Sequence, residues 1–180
     1  MWQLTPHQRE RFDQIGESSV RIDAPAGGGK TYLALHKLAS LLEQDEPVPA
    51  LFVARNAPLC FFVARWLAAR LMKHLDDPLE FEDRLPRLWV MHQRDDGRLG
   101  APQRCAATHD DRICFEDASP PEAFALAVVD EGHHLFSNDA MRTFVTPYVE
   151  MAARVMVLCD VSQSLGRDIQ YPPGLTPVQL

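Results

Sequence analysis

The stretch Ala24-Pro25-Ala26-Gly27-Gly28-Gly29-Lys30-Thr31 constrains this chain more than any other. It follows a short stretch, Val20 to Ala24, that reads as a strand. It opens a segment, Thr31 to Gln44, whose apolar residues Leu33, Ala34, Leu38, Leu41 and Leu42 recur at helical spacing. A strand, a glycine-rich turn and a helix in that order predict a phosphate-binding loop of the Walker A pattern, with alanine at the first position where glycine is commoner. Three successive glycines let the backbone turn tightly enough for its N–H groups to face phosphate oxygens. The helix N-terminus behind them adds partial positive charge. Ala26, Gly27, Gly28, Gly29, Lys30, Thr31 and Tyr32 are the expected nucleotide contacts. Lys30 is expected to reach the β- and γ-phosphates of ATP, and the Thr31 hydroxyl to ligate Mg²⁺.

The rest of the chain repeats the alternation. Thr5 and Pro6 predict a helix start, with Thr5 as N-cap. Ala50 to Ala54 is a short apolar run and predicts a buried strand. Pro58 to Leu75 predicts a helix, and Leu88 to Met91 a further strand. Residues 93–122 are polar, carry Gly97, Gly100, Pro102, Pro120 and Pro121, and show no sustained period. They predict a long loop or a small insertion. Ala125 to Val129 and Val155 to Cys159 predict apolar strands. Asn138 to Ala153 between them predicts a helix broken near Pro147. Strands alternating with helices give an α/β fold with a mainly parallel sheet flanked by helices, here as one unit over residues 1–180.

The run Leu126-Ala127-Val128-Val129 ends in Asp130-Glu131. Two carboxylates at the C-terminal end of a buried strand stand at the edge where open α/β sheets bind ligands. Asp130 is expected to hold Mg²⁺ through water, as a Walker B carboxylate does, and Glu131 to orient and activate the attacking water.

The net charge of −7 argues against bulk electrostatic capture of nucleic acid, so any such contact must be local or shared. The N-terminus has no basic segment followed by an apolar run. The longest apolar region, Ala57 to Leu75, is interrupted by Arg65, Arg70 and Lys73. An intracellular protein without a membrane span is expected, cytoplasmic or nuclear. Cys60, Cys105, Cys114 and Cys159 lack paired spacing and are expected as free thiols.

Taken together, these residues resemble superfamily 1 helicases of the UvrD/Rep type, specifically their first RecA-like domain. Leu4-Thr5-Pro6-His7-Gln8 is similar to that family's Q motif, and the resemblance implies that Gln8 reads the adenine edge. Leu51 to Leu59 is similar to motif Ia and Val90-Met91-His92 to motif Ib. The resemblance therefore implies single-stranded DNA or RNA contacts at Arg55, Asn56 and His92. Asp130-Glu131-Gly132-His133 matches motif II, in the DExH form because His133 stands where the family usually has glutamine. Asp160-Val161-Ser162-Gln163 resembles motif III, with Cys159 in place of the usual glycine. That match implies that Gln163 senses the γ-phosphate and that His133 and Asp160 couple it to bound nucleic acid. In the family a second RecA-like domain supplies the arginine fingers. The resemblance implies that this chain works with such a domain, in cis or in trans, and that the 180 residues are part of a longer protein or a module that borrows its other half. The alternative is a helicase-derived ATP-binding switch that regulates a partner without unwinding.

Other features have plainer readings. Phe61, Phe62 and Trp66 are expected to pack a helix on the sheet. Cys105, His109, Asp110 and Cys114 match no standard zinc spacing. The acidic run from Asp76 to Asp83 reads as a solvated surface.

Overall fold

The computed structural model describes residues 4–75, 78–108, 112–164 and 169–180. Chain order explains the architecture. After helix α1 (Pro6–Ile15) come strand β1 (Val20–Ala24), helix α2 (Lys30–Leu42), strand β2 (Ala50–Ala54) and helix α3 (Ala57–His74). A short helix α4 (Pro78–Arg84) and a 3-10 turn (Leu85–Arg87) lead to strand β3 (Leu88–His92). Strands β4 (Gln103–Ala107) and β5 (Ile113–Asp117) precede β6 (Leu126–Val129). Helices α5 (Gly132–Leu135) and α6 (Asp139–Glu150), strand β7 (Val155–Asp160), helix α7 (Val161–Ser164) and strand β8 (Thr176–Gln179) follow.

The strands form one eight-stranded sheet in the order β5-β4-β3-β2-β6-β7-β1-β8. From β3 across to β8 every pairing is parallel; β4 and β5 add an antiparallel edge. Both faces of the parallel part are covered, which is why β2, β6 and β7 are buried at every position. Side chains alternate between the faces. Ile22, Phe52, Val90, Val128 and Leu158 pack under α2 and α3, while Leu51, Val53, Met91, Val129 and Val157 pack with Leu135, Phe136, Val145 and Val149 on the other side. This is an α/β fold with a mainly parallel sheet flanked by helices, and β7 lies between the strand that feeds the glycine loop and the strand that ends in Asp130. No helix among the described residues is long and apolar enough to cross a membrane.

Local chemistry fixes the ends. Thr5 and Gln8 form a reciprocal capping box on α1: the Thr5 hydroxyl accepts from the Gln8 N–H at 3.2 Å, and the Gln8 Oε1 accepts from the Thr5 N–H at 3.1 Å. Arg84 donates to the last carbonyls of α2, at Leu42, Glu43 and Gln44, and so satisfies groups that a helix end leaves open.

Three expectations are corrected. Residues 93–122 are not a loop throughout, because β4 and β5 form a hairpin there with five residue pairs in register. The strands escaped pattern reading because only Cys105 of β4 is buried and no position of β5 is. Their cross-strand contacts are polar, Arg104 to Glu116 at 3.1 Å and Gln103 to Asp117 at 2.9 Å. Helix α6 is not broken at Pro147, which lies inside its last turns. A proline there removes one N–H donor, the one that would face the Thr143 carbonyl, while its own carbonyl still accepts the Met151 N–H that closes the helix. Phe62 is 53% exposed and is not core, whereas Phe61 stacks on Phe115 with ring centroids 4.3 Å apart and Trp66 meets Tyr32 and His36 edge-on. Asp76, Asp77, His109 and Asp110 lie outside the described residues.

Gly132 is the tightest point between α5 and the sheet, because a Cβ there would run into Cγ1 of Val157 on β7. Gly132→Ala is expected to destabilise the fold by roughly 1–3 kcal/mol through overpacking. Urea unfolding checks this, and the penalty should shrink when Val157→Ala is present.

Candidate functional site

The C-terminal ends of β1, β7, β6, β2 and β3 lie along one edge of the sheet, which brings together the residues that follow them. Ala24 is in register with Asp160, and Val53 with Val129. The glycine loop joins β1 to α2. Gly27 and Gly29 have φ of 76° and 83°, a left-handed conformation that side-chain-bearing residues rarely adopt. A Cβ on Gly28 would sit 3.0 Å from the Pro25 carbonyl oxygen. The loop is therefore a cradle that only glycine can line. Lys30 Nζ folds over it, donating to the carbonyls of Ala24 at 2.8 Å and Pro25 at 3.0 Å. Gln8 Nε2 lies so close to Gly29 that a Cβ there would collide with it. The capping box therefore holds the Gln8 amide against the loop. The Tyr32 ring packs edge-on to His36 with centroids 4.8 Å apart, so a role for Tyr32 at the loop falls to its backbone N–H.

Thr31 and Asp130, 99 residues apart, meet: the Thr31 hydroxyl donates to Asp130 Oδ2 at 3.1 Å. Asp130 is 5% exposed, and its Oδ1 accepts the Glu131 N–H at 2.8 Å. Burial pushes its pKa up, against the lowering effect of these two hydrogen bonds. Glu131 has φ 48°, the one non-glycine residue in the left-handed region among the described residues. Its carboxylate is half-exposed, 3.7 Å from Arg55 Nη1 and 4.0 Å from His134 Nε2.

A chain of contacts runs from there to the end of β7. His133 is fully buried, and its Nδ1 accepts the Asp160 N–H at 3.3 Å, so Nε2 carries the proton of the neutral ring. That Nε2 is buried without a hydrogen bond of good geometry, although the Gln163 side chain is close enough to favour the protonated ring somewhat. Burial outweighs this and lowers the His133 pKa, with the neighbouring His134 adding to the effect. His134 Nε2 lies 3.3 Å from Gln163 Oε1, and Gln163 Nε2 donates to Asp160 Oδ2 at 3.2 Å. Asp160 Oδ1 accepts from the Ser162 hydroxyl at 2.6 Å and its N–H at 2.9 Å, bonds that lower the Asp160 pKa. The sequence reading named His133, Asp160 and Gln163. It missed His134, which makes the bridge, because nothing in the motif marks the side chain after His133.

The residues expected at nucleic acid are less uniform. Arg55 is exposed at the end of β2 and faces Glu131. Asn56 Oδ1 caps α3 by accepting the Leu59 N–H at 2.9 Å, so half of its amide already has a structural use. His92 ends β3, with its Nδ1 3.1 Å from the Gln93 carbonyl oxygen. A second cluster was not foreseen. Arg21 forks onto the buried Asp23 at 2.8–3.1 Å and lies over the Tyr171 ring, and the Cys159 thiol donates to the Tyr171 hydroxyl at 3.3 Å. It ties residues 169–180 to β1 beneath the loop.

The donor set suits a divalent cation that keeps most of its shell as water and phosphate: one hydroxyl and one buried carboxylate, both oxygen. Among the described residues no group of three or more His, Cys, Asp or Glu side chains forms a metal cage. All four cysteines are free.

No family model matches the chain, and no curated protein does. Among solved structures, one described as the crystal structure of Pyrococcus furiosus Hef helicase domain is similar at 16% identity and a TM-score of 0.47. The match covers 93% of this chain and 33% of that one. The chain thus spans about a third of the length of that neighbour, and a likeness of that size carries no weight in assigning function.

Two outcomes follow from the buried charges. The Asp130 carboxyl is more easily protonated in the fold than out of it. Its stabilising contribution is thus present below the ordinary value of 3.8 and lost as pH rises through the folded value. At neutral pH the carboxylate is a cost to the fold. Asp130→Asn, whose oxygen can still accept the Glu131 N–H while its amide nitrogen donates to the Thr31 hydroxyl in place of accepting from it, should raise the melting temperature, on the scale of about 2–4 °C per kcal/mol for a chain this long. His133 has the opposite sign: stability is complete above its ordinary value of 6.5 and falls as pH drops toward the lowered folded value. Melting temperatures between pH 7 and 5 should fall less steeply in His133→Gln than in the parent, and an unchanged slope would assign the effect to His36, whose pKa is also lowered by burial.

Proposed function

We propose that the chain is the ATP-binding motor domain of a superfamily 1-type DNA or RNA helicase or translocase, hydrolysing ATP with Mg²⁺ in concert with a second RecA-like domain. The observation that carries this reading is the hydrogen bond from Thr31 to Asp130, which joins the glycine loop to the acidic strand end across the intervening β7. Two sequence patterns 99 residues apart thereby stand at one place on the sheet edge, where both can serve one ligand.

In this reading the loop N–H groups from Ala26 to Tyr32 cradle the phosphates, and Lys30 leaves the Ala24 and Pro25 carbonyls to pair with the β- and γ-oxygens. Gln8, held by its capping box at Gly29, reads the adenine edge. Thr31 and Asp130 would hold Mg²⁺, which supplies charge neutralisation at the phosphates. Glu131 orients a water for in-line attack and accepts its proton. Gln163 senses the γ-phosphate and passes its state through His134, Asp160 and His133. Arg55 and His92, with the free half of the Asn56 amide, meet the backbone of single-stranded DNA or RNA.

Phosphoryl transfer needs its developing charge stabilised on all sides, and an arginine finger is worth on the order of 10³–10⁵ in rate where it is known. Of the arginines that follow motifs II and III in sequence, Arg142 pairs with Asp139 at 2.8 Å, and Arg154 with Glu17 and the Ala125 carbonyl. Arg167 lies outside the described residues. A partner domain is the natural source of a finger. The net charge of −7 supports a second reading, an ATP-binding switch that regulates a partner without unwinding. Turnover stimulated by single-stranded nucleic acid separates the two.

Three measurements test the proposal. Lys30→Ala is expected to abolish Mg-ATP binding in calorimetry while the melting temperature holds; unchanged affinity would refute the loop assignment. Glu131→Gln should retain ATP but stop its hydrolysis, and turnover at the parental rate would remove Glu131 as the base. The 180 residues alone are expected to hydrolyse ATP very slowly, with an increase of orders of magnitude on adding a second RecA-like domain. Brisk turnover by the isolated chain would mean that a finger is supplied within it or by self-association.

A further inference from the structure

The carboxylates of Asp130 and Glu131 are adjacent in sequence and serve different partners. Asp130 meets Thr31 at the glycine loop. Glu131, turned by its left-handed φ of 48°, meets Arg55 at 3.7 Å and lines a cleft of about 290 Å³ whose lining includes no residue of the glycine loop. Arg55, Gln93, His134, Asn138 and Met141 complete most of that cleft. The sheet makes the meeting unavoidable. β2 and β6 are parallel neighbours with Val53 opposite Val129, so Arg55 and Glu131 are each the second residue past the last register pair. The Asp130 N–H, donating to the Val53 carbonyl at 2.9 Å, carries the ladder one step further.

Glu131 faces Arg55 in this cleft, whereas Lys30 and Thr31 meet the glycine loop and Asp130; in the motor reading its carboxylate leaves Arg55 to orient a water at a phosphate held by Lys30 and Thr31. The side chain is 39% exposed, and its ion-pair contacts among the described residues are with Arg55 and, when protonated, His134. An exposed pair of this kind is weak, on the order of 0.2–1 kcal/mol, so a competing anion can take the arginine away. We propose that Arg55 is a positioning residue for Glu131: it holds the carboxylate in the cleft, and a phosphate of a single-stranded nucleic acid draws Arg55 off and frees Glu131 to act. The inference rests on the motor reading and adds to it a direct link from strand binding to the base.

The test begins without nucleotide. Labelled dT and rU oligonucleotides are titrated into the 180-residue chain at low salt and followed by anisotropy. Glu131→Gln should bind roughly 1.5- to 5-fold more tightly than the parent, because the phosphate no longer competes with the carboxylate for Arg55. In an Arg55→Ala background the same change should have no effect, and Arg55→Lys should restore part of it. A gain that persists without Arg55, or failure of the parent to bind either oligonucleotide, overturns the inference. The second arm is turnover, followed for hours if slow. Arg55→Ala should raise hydrolysis in the absence of nucleic acid several-fold and lose its stimulation by dT, whereas a fall in basal hydrolysis would contradict a brake. If Glu131→Gln turns over ATP like the parent, the motor reading fails at its base, while the binding cycle still judges the Arg55–Glu131 link separately.

Discussion

Parallel pairing of β1, β7, β6 and β2, with both faces of the sheet buried, is the constraint on which everything else depends. A parallel sheet points the C-terminal ends of its strands the same way. Each strand here ends in a residue with chemistry: Ala24 leads into the glycine loop, Asp160 closes β7, Asp130 follows β6 and Arg55 follows β2. Because the faces are sealed by α2 and α3 on one side and by α5 and α6 on the other, the edge is where such groups can reach water and a ligand. The register then sets who meets whom. One residue of slip in β6 would turn its apolar side chains to the wrong faces and carry Asp130 away from Thr31.

The edge carries electrostatic cost. Asp130 is buried with its pKa raised, and Glu131 sits in a backbone region that disfavours a side chain. His133 is buried with one ring nitrogen that lacks a hydrogen bond of good geometry. A chain selected for stability alone would carry none of these, since a buried charge without full compensation is unfavourable. Their concentration within four consecutive residues is what sets this strand end apart from an ordinary strand-to-helix turn.

Legibility in the sequence followed the number of residues that repeat a pattern. Strands β2, β3, β6 and β7 were visible because burial on both faces leaves continuous apolar runs, and α2 because eight of its residues are buried, many at helical spacing. The glycine loop was visible because its chemistry is local to eight residues. The β4–β5 hairpin was hidden because a half-exposed edge gives five-residue strands with a single fully buried side chain, Cys105. β8 was hidden for the same reason: Thr176–Gln179 is almost wholly exposed and is a strand only because β1 offers it an open edge. Phe62 misled because its neighbours Val63 and Ala64 are core, whereas its own direction on α3 faces solvent.

What the sequence determined by itself was the set of local conformations: a capped α1, a loop only glycine can line, and strands that end in carboxylates. Tertiary structure alone decided the encounters. That Gln8 uses its oxygen to cap α1 and leaves its amide nitrogen against Gly29 follows from where α1 packs. That His134 meets Gln163 follows from how α5 sits on β7, a contact so close that a Cβ on Gly132 would run into Val157. Arg55 faces Glu131 because β2 and β6 are neighbours in the sheet, although 76 positions separate the two residues in sequence. The physical reason is common to all three. Backbone preference and hydrogen bonding within a few residues are written in the chain, whereas side-chain encounters between distant residues depend on register and packing, which only the assembled sheet fixes.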